Sequence, residues 1–194
     1  MLGGVAFTGG SSLLAAVEQA RSTVEGTIGE FSVVDIAFLD EIAETMLPAT
    51  KTPGAKAAKT GAFMALMVTD SYHPAEQKIF RDGMRAVEEA AKRANNVSFM
   101  AATPAQRLAV LTELDHEQKR VMDARGAPGS AVGGAGVQIK QPAHYFRMMK
   151  ELALLGYFTS EVGCTRALRY LETPGRFDPC IPYTQGEPAW ASHA

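Results

Sequence analysis

The histidines are the first residues to examine for chemistry, and their spacing gives little. His73, His116, His144 and His193 form no pair at the separations that metal sites use. His144 precedes two aromatic residues, and we interpret it as a helix cap or packing residue. An independent enzyme that uses His144, Tyr157 and a nearby carboxylate is the alternative hypothesis.

Three acidic residues could share one face of a helix, namely Asp40, Glu41 and Glu44. Without a basic or histidine partner they are weak candidates for acid–base catalysis. The glycine-rich segment 126–136 is not a phosphate loop, because no Lys-Ser/Thr pair follows it and no strand precedes it. We therefore predict no catalytic residue, no metal site and no cofactor site in this chain.

The chain has two cysteines, Cys164 and Cys180, without a CxxC arrangement. Two free thiols in a reducing compartment and one intramolecular disulfide are both compatible with this count. A bridge would require an oxidising compartment.

The apolar residues recur at helical spacing, and no convincing alternating run typical of strands appears. The sequence therefore predicts an all-α fold, a compact domain of about six helices over residues 31–171. The first helix is capped by Ser32 and ends before Pro48. The others are expected at 55–71, 74–94, from Pro104, after Pro142, and from 160 to 170.

The apolar spacing also predicts which side chains are buried. In the second helix these are Ala58, Phe63, Leu66 and Met67. Leu108 and Leu155 are expected in the core stripes of the fourth and fifth helices.

The two ends of the chain differ from this domain. Residues 1–30 combine an uncharged stretch of seventeen residues with a linker, and we interpret them as part of an export signal that lacks its positive leader. An apolar N-terminal arm is the alternative. Residues 172–194 contain four prolines and are expected to form an extended arm, with Phe177, Tyr183 and Trp190 as interface anchors or folded back on the chain's own helices.

The composition is that of an ordinary globular protein, with 46% hydrophobic and 21% charged residues. The net charge of −2 is spread along the chain, which argues against a nucleic-acid-binding face.

Several segments together carry a resemblance to a known family, namely residues 44–58, 145–146, 150–152, 155–163, 168–170 and 174–180. They resemble gluconate 2-dehydrogenase subunit 3, a family that includes the small (gamma) subunits of flavin-dependent glucose and glucoside 3-dehydrogenases. The resemblance spans about residues 31–180, with Pro179 standing where the family often has glycine.

The resemblance implies a non-catalytic subunit. In this family a large subunit carries FAD and oxidises a sugar hydroxyl, and electrons pass to a cytochrome c or another acceptor. The small subunit stabilises the large one and bears a twin-arginine export signal, which implies a periplasmic location and a Cys164–Cys180 disulfide. A maturation chaperone that releases the flavoprotein is the alternative.

On this interpretation the fifth and sixth helices and the C-terminal arm cover apolar surface of the FAD subunit. The expected contact residues are Tyr145, Phe146, Tyr157, Phe158, Phe177, Tyr183 and Trp190.

Overall fold

A computed structural model describes residues 26–124 and 142–173, together with 175, 180, 182 and 184–191. The described part is helical, as predicted, and contains no strand, only two isolated bridges. Five α-helices are followed by one π-helical turn. They are α1 Val33–Met46, α2 Thr60–Ser71, α3 Pro74–Asn95, α4 Pro104–Ala124, α5 Tyr145–Phe158 and the turn Gly163–Ala167.

Local capping explains where several helices start. Ser32 and Asp35 form a reciprocal box before α1, in which the Asp35 N–H donates to Ser32 Oγ and the Ser32 N–H donates to the Asp35 carboxylate. Thr103 and Gln106 make the same exchange before α4. Proline in the first turn of α3 and α4 fits positions that lack an intrahelical partner for their N–H groups.

Helix α5 is the centre of the bundle, because it packs against each of the other four helices. Its side chains at Met148, Met149, Leu152 and Ala153 are buried. Together with buried residues of α1 to α4 they form one hydrophobic core. The termini of α5 therefore lie where several other elements meet.

Helix α2 differs from its prediction in both its start and its buried face. It begins at Thr60 because residues 55–59 form a turn in which Lys59 adopts a left-handed conformation, φ 53°. Its buried positions include Thr60, Gly61 and Met64, whereas Leu66 is exposed. Nearly all of α2 is apolar or small, so spacing alone could not identify the covered side.

The predicted sixth helix is also shorter than expected, since the π-helical turn ends at Ala167. Leu168 then becomes extended, and Arg169 exchanges backbone hydrogen bonds of 2.8 Å with Ala189 and Ala191. The described part of the C-terminal segment thus lies beside residues 168–170. The remainder of the predicted extended arm lies outside the described residues.

Candidate functional site: a pinned loop beside an apolar surface

The three acidic residues of α1 that could share one face, Asp40, Glu41 and Glu44, are each occupied by a structural contact. Glu41 is buried and forms ion pairs with Lys56 and with Arg107 of α4. Asp40 Oδ1 accepts a hydrogen bond of 2.7 Å from the N–H of Gly61 in the first turn of α2. Burial raises the pKa of Asp40, and the Gly61 hydrogen bond partly opposes that shift.

Glu44 holds the loop that joins α1 to α2, residues 47–59, which we call the α1–α2 loop. One carboxylate oxygen accepts from the N–H of Ala49 at 3.0 Å and the other from the N–H of Lys56 at 2.8 Å. A β-carbon at Gly54 would lie 2.3 and 2.4 Å from these two oxygens, so only glycine leaves them room. The loop is therefore closed around one side chain.

A second contact fixes the same loop from α5. The hydroxyl of Tyr157 donates a 2.7 Å hydrogen bond to the carbonyl of Pro53. Its ring is buried, with 4% exposure, and packs at right angles to the ring of Phe158. The α1–α2 loop is thus attached to α1 and to α5.

His144 caps α5, as the sequence predicts, because its Nδ1 accepts from the N–H of Phe146 at 3.2 Å. Its Nε2 lies 3.9 Å from a Glu117 oxygen, and its ring stacks 4.3 Å from that of Tyr145. Burial, with Glu117 as a smaller cause, raises the pKa of Tyr145 to about 12.

His144 and Tyr157, the residues of the alternative enzyme hypothesis, do not lie close together in the structure. The two residues lie at opposite ends of α5, about 20 Å apart along the axis at 1.5 Å per residue. His116 is exposed on α4, His73 precedes α3, and His193 lies outside the described residues. Within the described ranges, no three His, Cys, Asp or Glu side chains are grouped to hold a metal ion.

An apolar surface that no described residue covers lies at the end of α5. Leu154, Leu155 and Phe158 are 39%, 47% and 37% exposed, and Leu108 of α4 is 55% exposed. Leu154 and Leu108 line a groove of about 240 Å³ between α4 and α5, whose floor includes Met46. We call Leu108, Leu154, Leu155 and Phe158 the apolar surface.

An ion pair crosses this groove. Lys150 Nζ donates to both oxygens of Asp115, at 2.7 and 2.8 Å. The hydrogen bond from Lys150 is the main reason that the pKa of Asp115 lies below its usual value. The pair gives the apolar groove a polar rim.

The predicted contact residues divide into four groups: core, half-buried, exposed and outside the described residues. Phe146 and Tyr157 are 1% and 4% exposed and belong to the chain's own core, so the prediction that they touch a partner is corrected. Tyr145 is half-buried against α3, whereas Phe158 and Trp190 are exposed. Phe177 and Tyr183 lie outside the described residues.

Sequence reasoning missed most of the apolar surface, because Leu108 and Leu155 were assigned to the core. The available signal was the position of Leu154. It follows Leu152 by two residues, which places it about 160° from Leu152 around the helix axis and so opposite the buried stripe.

Trp190 contacts Arg169 of its own chain. The guanidinium of Arg169 lies 4.6 Å from the centre of the Trp190 ring and 3.1 Å from Glu187. Residues 189–191 therefore lie against the extended segment that contains Arg169 and not against a helix, and half of the Trp190 surface stays exposed.

Both cysteines are free thiols in this structure. Cys164 Sγ donates to the carbonyl of Phe158 at 3.2 Å, and Cys180 is exposed. The disulfide that the resemblance implies is therefore not formed here.

Comparison with protein families identifies the chain. The family model for gluconate 2-dehydrogenase subunit 3 matches residues 34–175, well over half of the sequence. The chain belongs to the gluconate 2-dehydrogenase subunit 3 family. A search of curated proteins gave no match, and a search of solved structures gave none.

The family match includes the α1–α2 loop and the whole apolar surface. A subunit of an oxidoreductase complex has partner subunits, so surface that is uncovered in the isolated chain is where a partner is to be sought. Among the described helices, none is long and apolar enough to cross a membrane.

Proposed function

We propose that this chain is the non-catalytic small (gamma) subunit of a periplasmic, FAD-dependent sugar dehydrogenase of the gluconate 2-dehydrogenase or glucoside 3-dehydrogenase type. It stabilises the FAD-bearing catalytic subunit and assists its export in the folded state. The observation that carries the proposal is the apolar surface, which occurs within the part of the chain that matches a subunit family.

The physical argument concerns α5. Its inner side forms the centre of the core, so Leu154, Leu155 and Phe158 cannot turn inward without displacing buried residues. Burial of apolar surface contributes about 25 cal/mol per Å². A partner that covers these side chains would therefore bind to a rigid helix through apolar contacts, as the subunits of permanent complexes do.

In this proposal the flavin and the sugar lie in the partner. The partner's FAD accepts the electrons of the sugar hydroxyl, and a cytochrome c subunit or another acceptor receives them. The absence of charged side chains from residues 1–17 supports the export role.

The test is purification of the tagged chain from cells that also produce the flavoprotein. We expect a larger flavin-containing chain in a fixed ratio, with sugar-dependent dye reduction by the pair and none by the small chain alone. A variable ratio would favour a chaperone that releases its client. A yellow or dye-reducing isolated chain would refute the proposal.

A double variant, Leu154→Asp with Phe158→Asp, should abolish co-purification because it places two charges in the apolar contact. Val34→Asp is the matched control, since Val34 is exposed at the other end of α1, about 18 Å along the axis from Met46. Retention of the flavoprotein by the double variant would show that the contact lies elsewhere.

A further inference from the structure

The α1–α2 loop carries positive charge only. Residues 47–60 contain Lys51, Lys56 and Lys59 and no acidic residue. Glu41 pairs with both Lys56 and Arg107, and the Glu44 carboxylate lies inside the loop. Lys51 and Lys59, in contrast, are exposed and form no ion pair within the described part of the chain. Two exposed lysines are thus left without an ion-pair partner among the described residues.

The loop also presents these lysines at fixed positions. The Glu44 carboxylate and the Tyr157 hydroxyl hold its backbone on either side of Lys51. Lys59 is fixed in a left-handed conformation by the turn that starts α2. A loop that is already ordered loses little conformational entropy when it binds.

The loop is continuous with the apolar surface. The carbonyl of Pro53 accepts a hydrogen bond from Tyr157, whose ring lies 5.1 Å from that of Phe158. Met46, the residue directly before the loop, lines the groove together with Leu108 and Leu154. A partner that covers the apolar surface would therefore meet the edge of this loop.

We propose that the α1–α2 loop is a preformed cationic recognition element, in which Lys51 and Lys59 bind an acidic patch on the catalytic partner subunit. This inference rests on the proposed function. The apolar surface supplies most of the affinity, and the two lysines fix the orientation of the partner and accelerate its association.

The experiment immobilises the tagged small subunit of the complex and measures how much flavoprotein it retains as NaCl is raised. Lys51→Glu with Lys59→Glu should weaken retention roughly ten-fold at low salt, because two attractions become repulsions. Lys51→Gln with Lys59→Gln should weaken it less and reduce the salt dependence. The double variant Lys78→Glu with Lys92→Glu, on exposed positions of α3, is the matched control. It should change neither the amount of flavoprotein retained nor the salt dependence of retention.

The outcomes separate this inference from the proposed function. If the unmodified chain retains no flavoprotein, the proposed function fails. If it retains flavoprotein and the Lys51/Lys59 variants behave like the control, only the inference fails. A change in self-association without a change in retention would assign the loop to a second copy of this chain and would also overturn the inference. Circular dichroism of each variant checks that the helices are intact.

Discussion

At the scale of single residues, Glu41 has the most consequential contacts in the described chain. Its buried carboxylate joins Arg107 of α4 to Lys56 of the α1–α2 loop. Arg107 is largely buried itself, and its Nε has no hydrogen-bond partner. Removing the carboxylate would leave this cation without its counter-charge.

Glu41→Ala should therefore lower the free energy of unfolding by roughly 3–5 kcal/mol, the usual cost of breaking a buried pair on one side. Denaturant unfolding followed by circular dichroism measures this. Glu89→Ala removes an exposed i, i+4 pair with Arg93 and should cost at most about 1 kcal/mol. An equal decrease in the free energy of unfolding for the two variants would contradict a special role for Glu41.

Residue-level prediction from sequence worked where partners are close along the chain. The capping pair Ser32 and Asp35 spans four residues, so its chemistry could be read from spacing. The ion pair of Glu41 with Arg107 joins residues 66 positions apart, and no local pattern indicates it.

At the scale of elements, the close approach of α1 and α2 depends on Gly61. A β-carbon there would lie 2.5 Å from the backbone oxygen of Ile36 and 2.6 Å from the backbone nitrogen of Asp40. Backbone atoms of α1 cannot move aside individually, so the two helices would have to separate.

Gly61→Ala should destabilise the domain by about 2 kcal/mol, since overpacking of about 3 kcal/mol exceeds the helix-propensity gain of about 1 kcal/mol. Thermal unfolding measures the change. Gly156→Ala is the comparison, because its β-carbon would meet the half-buried ring of Phe63, which can turn away. A melting temperature that rises in Gly61→Ala would refute this account of the α1–α2 contact.

Element positions were predictable to the extent that capping and proline define them. The prolines fixed the starts of α3 and α4 in sequence and structure alike. Helix α2 started five residues later than predicted, because its first residues form a turn held by contacts to Ala55. That turn is stabilised by hydrogen bonds to the Ala55 carbonyl, including one from the Thr60 hydroxyl, which the spacing of apolar residues does not indicate.

At the scale of the whole molecule, the compartment determines the state of the two cysteines. If the proposed export is correct, the folded protein is exposed to oxidants, and the thiols seen free here would be joined. Such a bridge closes a loop of about 15 residues, which is worth about 3 kcal/mol in the chain-entropy model.

Protein isolated from the periplasm should therefore contain no reactive thiol before reduction and two after it, as measured by thiol titration under denaturing conditions. Reduction should lower the melting temperature, because the loop between Cys164 and Cys180 is released. Cys180→Ser is the control, and it should show one reactive thiol with or without reduction. Two reactive thiols in exported, unreduced protein would exclude the bridge.

The sequence by itself determined the all-α class, the capped helix starts and the family, because these depend on short-range spacing and on contiguous motifs. The tertiary structure alone decided which side of each helix is covered. Phe146 and Tyr157 became core, whereas Leu154 and Leu155 became surface, since the four helices packed against α5 cover some of its sides and, within the described part of the chain, leave the side of Leu154 and Leu155 open. The burial of a helix face is set by its neighbours, and those neighbours come from distant parts of the chain.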